Sequence, residues 1–411
     1  MKKLLVVFSV LGLSVLSASV LETNDVKMNT LLGLGGNPAV IAVNKKVNFE
    51  AGTVAINLNK QNAKIMNGAL KSPIGIKNGR NENDMNFADA SRFFWFAGNI
   101  GDNWFGLRHT NISNVYPFFT STIQLPTALQ SSLDPNYASK VTIFRKDTVE
   151  TFSFLWAKEL AQGYSVGAEL ASNTYTFNDN RAYNTAAENI NSVFLGGSPF
   201  VDSKAFSVSK PYYSLTLGLV KDLDAASKIS FAHKMTQDRG VYYNDGLGIT
   251  SNVYNEKMPN ETAVSYIYKI NEGWEVAGTY KTIWGVSYQK NILGSNQDYS
   301  EAITKHPYNV LGFATDYSLN DKWSFQGWGS YIRNYKQIET SNTSVKPKAV
   351  DEMDRGYKVT QVGGNVQYHL NAIKGGTILL GSYVSKIQSE DSSVGYLFDI
   401  TNTTLSYSQN F

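Results

Sequence analysis

Apolar and polar side chains alternate along residues 274–288, and this is the clearest pattern in the chain. The even positions carry mostly large apolar side chains, such as Trp274, Tyr280 and Trp284, whereas most odd positions are small, polar or charged. A period of two residues is typical of a β-strand whose two faces meet different surroundings. The segment has fifteen residues, whereas strands of soluble sheets usually have about five or six. The pattern therefore predicts an unusually long strand.

Connections of two lengths separate strands of this kind. Tight turns fall at 100–103, 160–163, 223–227, 271–273, 320–322 and 371–374, and longer polar connections lie near 60–91, 112–140, 180–210, 240–260, 291–305, 338–356 and 389–393. Six tight turns alternating with seven longer connections predict fourteen strands, with both chain ends on the tight-turn side. The predicted strands cover 47–59, 92–99, 104–111, 141–160, 164–179, 211–222, 228–239, 261–270, 274–290, 306–319, 323–337, 357–370, 375–388 and 394–411.

These strands predict an all-β fold, a transmembrane antiparallel β-barrel of fourteen strands over residues 47–411. Closure is required because the unpaired backbone groups of a sheet edge cannot be hydrated in lipid. Short turns at one end, long loops at the other and aromatic residues at strand ends, such as Trp104 and Trp323, are typical of outer-membrane barrels. A secreted soluble β-sandwich or solenoid is the alternative. Charged residues make up only 17% of the chain, against about a quarter in soluble proteins, which favours the barrel.

The N-terminus predicts export. Lys2 and Lys3 precede an apolar run at 4–16 and small residues at 17–19, and this order is typical of a secretory signal peptide, assigned to residues 1–18. No other apolar stretch of about twenty residues occurs, so transmembrane helices are not predicted. The last residue, Phe411, is an aromatic ending of the kind found in outer-membrane barrels.

Composition argues against several classes of function. The net charge of +3 is too small to indicate nucleic-acid binding, and the chain has no cysteine. The four histidines are far apart and match no metal-ligand spacing: His109, His233, His306 and His369. No nucleophile elbow or pair of carboxylates at a strand tip is present. We therefore expect no enzyme activity, no cofactor and no metal site.

Several segments, taken in order, resemble the FadL/TodX family of outer-membrane transporters. They are Asn37-Pro38-Ala39, Met258-Pro259, Val264-Ser265-Tyr266, Trp274-Glu275-Val276, Thr282-Ile283-Trp284, and the stretches 307–317, 320–325 and 363–368. The resemblance implies a monomeric barrel in a Gram-negative outer membrane, with residues 19–46 folded into the lumen as a hatch. It also implies transport of long-chain fatty acids or of hydrophobic compounds such as aromatic hydrocarbons, taken from the lipopolysaccharide-bearing leaflet, with a lateral exit through a gap in the wall.

The hatch of this chain departs from the family pattern because it is shorter and lacks an Ala/Gly-rich opening. Its candidate residues are Leu34, Asn37, Pro38 and Ala39. We expect Asn37-Pro38-Ala39 to set the turn into the first strand, a structural role and not a ligand contact. The lateral opening is expected near residues 105–111, next to a short third strand.

Apolar residues in the third and fourth long loops predict a ligand groove, because exposed loops are normally polar. The groove candidates are Val193, Phe194, Leu195, Phe200, Val241, Tyr242 and Leu247, with Lys204, Lys210 and Arg239 as cations for a carboxylate head group. Two loops packed on each other as a cap would explain the same pattern, and the two interpretations are compatible.

Passive uptake of hydrophobic molecules, most directly long-chain fatty acids, is the function these expectations favour. A general diffusion porin and an adhesin with long binding loops are the alternatives. A porin should carry a charged constriction, whereas Ala277, Thr279 and Gly285 on the expected lumen face are small and neutral. Small residues leave room for a hatch, which favours the transporter.

Overall fold

The structure, a computed structural model, describes residues 36–45, 48–61, 88–124, 138–183, 203–244, 250–292, 299–334, 338–342, 357–370, 375–389 and 396–410. These residues form one short α-helix, α1 (Val40–Asn44), and twenty strands. The strands are β1 (Asn48–Gln61), β2 (Ala88–Ile100), β3 (Asn103–Gln124), β4 (Ala138–Glu159), β5 (Tyr164–Tyr183), β6 (Ser203–Ser209), β7 (Tyr212–Asp222), β8 (Ser227–Thr236), β9 (Arg239–Asn244), β10 (Thr250–Glu256), β11 (Glu261–Asn271), β12 (Trp274–Ile283), β13 (Val286–Ile292), β14 (Tyr299–Lys305), β15 (Tyr308–Asn320), β16 (Trp323–Asn334), β17 (Ile338–Asn342), β18 (Tyr357–His369), β19 (Gly376–Ser389) and β20 (Tyr396–Asn410). A 3₁₀ turn at Ala161–Gly163 joins β4 to β5.

Fourteen of these strands close into a barrel in which every neighbouring pair is antiparallel. The ring runs β1-β2-β3-β4-β5-β7-β8-β11-β12-β15-β16-β18-β19-β20 and returns to β1. The seam is formed by β1, where Asn48 lies opposite Ala97 of β2 and Asn410 of β20. The predicted fourteen-stranded antiparallel barrel is confirmed, and its ring leaves no unpaired edge.

The outer face of the ring is apolar and the inner face is largely small or polar. In β7, for example, Tyr213, Leu215 and Leu217 are exposed, whereas Ser214 and Thr216 are buried. Exposed aromatic side chains continue this outer band around the barrel, including Phe94, Phe152, Phe154, Tyr266, Trp274, Tyr280, Trp284, Phe313, Trp323 and Tyr331. A continuous apolar outer surface is the face that a membrane barrel presents to lipid.

Six shorter strands extend the wall beyond the ring on the side of the long connections. β6, β9 and β10 pair in that order and β6 joins the far end of β5, whereas β13, β14 and β17 form a separate small sheet. Short interruptions such as Lys210-Pro211 and His306-Pro307 separate these extensions from the ring strands. Proline has no N–H to donate, so it interrupts a ladder. The prediction of a loop over 240–260 is wrong for β10, which is a paired strand.

The opening predicted near residues 105–111 is absent. Each residue of β3 from Asn103 to Asn111 pairs with β2 on one side and with β4 on the other. The first shift in the β3–β4 register comes later, between Tyr116 and Phe119, where Pro117 stands in the strand. The expectation failed because β3 is long, twenty-two residues, whereas the sequence pattern indicated a short strand followed by a loop.

Candidate functional site in the barrel lumen

Asn37 anchors the N-terminal segment to the inner wall of the barrel. Its Nδ2 lies 3.1 Å from the Leu219 carbonyl, 2.7 Å from Ser230 Oγ and 3.2 Å from the Phe231 carbonyl, on β7 and β8. Its Oδ1 accepts a hydrogen bond of 2.9 Å from the Ala39 N–H. Asn37 is fully buried. The Asn37 amide thus forms hydrogen bonds with polar groups of two strands and with the backbone of the turn that follows it. Few polar atoms at this contact are therefore left without a hydrogen-bond partner.

Two wall glycines make room for this segment. A Cβ on Gly167 of β5 would lie 2.5 Å from the Ala39 nitrogen, and a Cβ on Gly218 of β7 would lie 1.9 Å from Asn37 Oδ1 and 2.9 Å from Pro38 Cδ. Both positions lie on the inner face of the ring, because the alternating neighbours of each glycine are buried. The absence of side chains lets the backbone of residues 37–39 approach the wall closely.

The position of Asn37-Pro38-Ala39 differs in part from the expected one. These residues contact β5, β7 and β8, and they do not form the turn into β1. The chain leaves α1 through Lys45, which has a left-handed backbone conformation, and enters β1 three residues later. The contacts indicate a structural role, which is to attach the N-terminal segment to the part of the wall formed by β5, β7 and β8. Leu34 lies outside the described residues.

Helix α1 follows this anchor and packs inside the barrel. Val40, Ile41 and Ala42 are buried, and the helix contacts β3, β4 and β5. Ile41 and Ala42 belong to one apolar cluster with inward-facing wall residues, which are Phe93, Trp95, Ala97, Trp104, Leu155, Ala157, Ile283, Val310, Ala314, Trp328, Ile332, Val359 and Tyr383. One part of the described lumen is therefore apolar and rich in aromatic residues and is partly filled by residues 36–45, whereas much of the remaining inner face is small or polar.

A charged cluster on β8, β11 and β12 lies on the same inner face. Glu261 bonds to Lys281 through one carboxylate oxygen, and its other oxygen lies 3.6 Å from Lys234 Nζ. Lys281 is 2% exposed, whereas Lys234 is 27% exposed. The pairing register explains the contact. Glu261 lies opposite Lys234 of β8, and on the other side it lies opposite Ile283 of β12, which is two residues along the strand from Lys281. Two basic side chains thus share one carboxylate in this cluster.

A second cluster lies just beyond the ring, on β9, β10 and β14. The Arg239 guanidinium lies 2.5 Å from Glu256 Oε2, and Lys305 Nζ lies 2.5 Å from Glu256 Oε1. Arg239 also stacks over the Tyr175 ring at 3.8 Å. Burial alone would raise the pKa of Glu256, but the charges of Arg239 and Lys305 outweigh it and hold that pKa at about 2. This cluster again has two cations and one carboxylate.

The predicted head-group and groove residues are spread over different parts of the fold. Arg239 joins the buried cluster just described, whereas Lys210 is exposed at the break before β7, where its N–H donates to the Gly240 carbonyl at 3.2 Å. Lys204 lies in β6 opposite Asn180. Val241 and Tyr242 lie in β9 and not in a loop, and they pair with β6 and β10. Val193, Phe194, Leu195, Phe200 and Leu247 fall outside the described residues, and the groove stays a prediction.

Sequence analysis missed the lumen charges on Lys234, Glu256, Glu261, Lys281 and Lys305. One signal was available, because Lys281 occupies an odd position of a strand whose odd positions were expected to face the lumen. Within the described residues, no group of three metal-ligating side chains is present. That part of the chain also has no helix long and apolar enough to cross a membrane.

Several solved structures share this architecture. They include the toluene transporter TodX of Pseudomonas putida (14% identity, 98% of this chain and 100% of that chain covered, TM-score 0.59) and a FadL homologue of Pseudomonas aeruginosa (14%, 99% and 100%, TM-score 0.55). The toluene transporter TbuX of Ralstonia pickettii is also similar (14%, 93% and 94%, TM-score 0.54). The chain has the FadL/TodX barrel fold. No family model and no curated protein sequence matches it. The resemblance predicted from short segments is thus confirmed at the level of the fold.

Proposed function

We propose that this protein is an outer-membrane transporter for the passive uptake of hydrophobic molecules, with long-chain fatty acids as its main cargo. The observation that supports the proposal is the lumen, where residues 36–45 pack against the inner wall and an apolar cluster lines part of the space. A dry apolar path suits an acyl chain, because each buried methylene contributes about 0.8 kcal/mol. The predicted signal peptide and the lipid-facing outer band support a Gram-negative outer membrane, with the long connections at the lipopolysaccharide surface.

The local charge of two clusters supports a carboxylate cargo; elsewhere on the inner face Arg108 pairs with Glu169, and Glu50 is a buried carboxylate. The two clusters hold four cations, Arg239, Lys234, Lys281 and Lys305, but only two carboxylates, Glu256 and Glu261. Lys234 and Lys305 are each about a quarter exposed, so their ammonium groups are the accessible part of this positive excess. A carboxylate gains a charge-assisted hydrogen bond from such a group. The excess therefore favours a fatty acid over a neutral hydrocarbon.

Neutral monoaromatic hydrocarbons are the second candidate cargo. TodX and TbuX, which share this fold, are toluene transporters, and aromatic wall residues such as Trp95, Trp328 and Tyr383 would offer stacking surfaces to a ring. The lumen cations contribute nothing to the recognition of toluene, and this difference separates the two cargoes experimentally.

The closed ring supports a monomer, because no second chain is needed to complete the sheet. Catalysis is not part of the proposal.

Uptake by whole cells tests the proposal. The protein is produced in a bacterial host that lacks its own fatty-acid transporter, and entry of radiolabelled oleate and of radiolabelled toluene is compared with that of cells carrying an empty vector. Faster oleate entry supports the fatty-acid proposal, whereas faster toluene entry alone favours the hydrocarbon candidate. No increase for either, together with faster entry of small hydrophilic sugars, would establish the porin alternative. Binding of the cells to surfaces without any gain in uptake would favour the adhesin.

A further inference from the structure

Two neighbouring polar atoms of the inner face have no hydrogen-bond partner in the described residues. They are Nε1 of Trp328 on β16 and Oδ1 of Asn365 on β18. Trp328 is 4% exposed and Asn365 is 7% exposed, so both atoms are shielded from bulk solvent. Burying a polar atom without a partner is costly, and two such atoms on one surface indicate that a ligand or an ordered water completes them.

The pairing register places these two side chains side by side. Trp328 lies opposite Gly363 of β18, and Asn365 is two residues further along the same strand, so both side chains are on the inner face. Diagonal neighbours of this kind are about 7–8 Å apart, which is within reach of an aromatic side chain. Gly363 has no side chain to stand between them. The spacing therefore suits one small group that contacts both atoms.

A chain of hydrogen bonds determines which end of the Asn365 amide is left without a partner. The Asp316 carboxylate accepts from Gln326 Nε2 at 3.1 Å, and Gln326 Oε1 in turn accepts from Asn365 Nδ2 at 3.1 Å. An ionised carboxylate can only accept hydrogen bonds, so Asp316 fixes the orientation of Gln326 and, through it, that of Asn365. The unpaired atom of Asn365 is therefore an acceptor.

The two atoms lie at the border between the apolar and the polar parts of the inner face. Trp328 belongs to the apolar cluster, and its ring centroid is 5.2 Å from that of Tyr383 on β19. The two rings meet across Gly363, which lies opposite both residues. Asn365 is followed on the same face by Gln367, towards the tight-turn end of β18. A molecule with an apolar body and one polar group fits such a border.

A hydroxyl group matches this pair of atoms. The indole N–H can only donate and the amide oxygen can only accept, whereas a hydroxyl group accepts one hydrogen bond and donates another. A carboxylate accepts but does not donate, and a methyl group does neither. Each of these groups would leave at least one of the two buried atoms unpaired.

We propose that Trp328 and Asn365 form a subsite for the hydroxyl group of a hydrophobic cargo, in which Trp328 donates to the hydroxyl oxygen and Asn365 accepts the hydroxyl hydrogen. The inference rests on the proposed transport function and adds to it a preference among hydrophobic molecules. Hydroxylated fatty acids and phenols share this chemistry, and the experiment separates the two classes.

Pairs of ligands that differ by one hydroxyl group test the subsite. Ricinoleate is oleate with an added hydroxyl group on its chain, and p-cresol is toluene with an added hydroxyl group on its ring. The affinity of the purified protein for each radiolabelled ligand is measured by equilibrium dialysis in detergent.

We expect the wild-type protein to bind the hydroxylated member of at least one pair about three- to tenfold more tightly, because that member alone completes the hydrogen bonds of both atoms. A preference confined to ricinoleate would identify hydroxylated fatty acids as the cargo class, and one confined to p-cresol would identify phenols.

Two substitutions remove one half of the subsite each. Trp328→Phe removes the donor but keeps an aromatic ring, and Asn365→Leu removes the acceptor but keeps a side chain of similar size. We expect either change to bring the affinity ratio within a pair close to one, since a loss of packing alone affects both members equally. Trp274→Phe is the matched control, because its Nε1 donates to Thr315 Oγ1 at 2.9 Å on the outer face. The ratio should persist in that variant.

Equal affinity of the wild type for both members of each pair would overturn the subsite, since a water molecule would then complete both atoms whichever ligand is bound. A ratio that survives both Trp328→Phe and Asn365→Leu would also overturn it. Neither result affects the transport function, which whole-cell uptake of oleate and toluene tests separately. If none of the four compounds enters cells faster than with an empty vector, the transport function fails, whereas the affinity ratios still decide whether the hydroxyl subsite exists.

Discussion

Asn37 Oδ1 occupies the space that a side chain on Gly218 would need, since a Cβ there would lie 1.9 Å away. Two residues that are distant in the sequence therefore constrain each other, and Asn37 also bonds to the carbonyl of Leu219, next to that glycine and 182 positions from Asn37. This contact fixes residues 37–39 against the inner wall of the barrel, and the proposed transport function depends on that position.

We predict that Gly218→Val dislodges the N-terminal segment and raises ion conductance. The added side chain cannot share its position with Asn37, whereas the barrel keeps its ring of backbone bonds. Gly278→Val on β12 is the matched control, because a Cβ there meets nothing within 4 Å. Conductance in planar bilayers should rise for the first variant and not for the second. A silent Gly218→Val barrel that still migrates as a folded species would contradict the anchoring role.

We predict that acid loosens the wall extension formed by β9 and β10. The pKa of Glu256 is lowered from its ordinary value of 4.5 to about 2 by Arg239 and Lys305, against the effect of burial. A lowered carboxylate pKa stabilises the folded form above the unfolded value, and that stabilisation is lost as the pH falls from about 4.5 towards 2.

Hydrogen exchange of the residues in β9 and β10 measures this effect. Protection in the wild-type protein should hold above about pH 4.5 and fall below it, following the pKa of Glu256. The Glu256→Gln variant should show weaker protection that does not change over the same range. Equal pH profiles of hydrogen exchange for the two proteins would contradict the prediction.

We predict that Glu50→Ala weakens the seam where the barrel closes. Glu50 of β1 is 1% exposed and accepts hydrogen bonds from Trp95 Nε1 of β2 at 3.2 Å and from Ser406 Oγ of β20 at 2.8 Å. Its loss leaves two buried donors without this acceptor, at a cost of about 1–3 kcal/mol each. The midpoint of urea unfolding in detergent should fall, whereas Thr403→Ala on the outer face of β20 should leave it in place. An unshifted midpoint for Glu50→Ala would be the contrary result.

We predict that Lys234→Met separates the two candidate cargoes. The substitution removes an accessible lumen cation but leaves Glu261 paired with Lys281. Oleate uptake should fall several-fold while toluene uptake, if present, stays unchanged. Lys228→Met is the control, because Lys228 pairs with Asp222 at the tight-turn end, away from both clusters. Equal uptake of oleate by the wild type and by Lys234→Met would contradict the prediction, because it would show that the charge of Lys234 does not contribute to recognition of the cargo.

The barrel was predictable from local pattern, because strand alternation and the two classes of connection repeat along the chain. The breaks in the wall were not. Alternation in the predicted strand 274–290 continues through Val286 and Tyr288, so nothing local marks the end of β12 at Ile283. The break depends on Gly285 packing against Pro307, and this contact exists only after β12 and β15 have paired.

The lumen site was predictable only in part for a similar reason. The place of Asn37-Pro38-Ala39 inside the barrel was implied by the family resemblance, but the local sequence predicted a turn into β1. The close approach of these residues to the wall depends on Gly167 of β5 and Gly218 of β7, which do not stand out in those strands. The ion pairs depend on register. Glu261 meets Lys234 and Lys281 because three strands align with particular offsets, and a shift by one residue would turn these side chains to the lipid face.

Single-channel conductance of the refolded mature protein in a planar bilayer tests the central claim most directly. Asn37-Pro38-Ala39 and α1 are buried in the lumen among aromatic wall residues, so we expect a barrel that is nearly silent in salt solution. Large, steady steps proportional to the salt concentration would contradict the account, because they would show a water-filled lumen and a general porin.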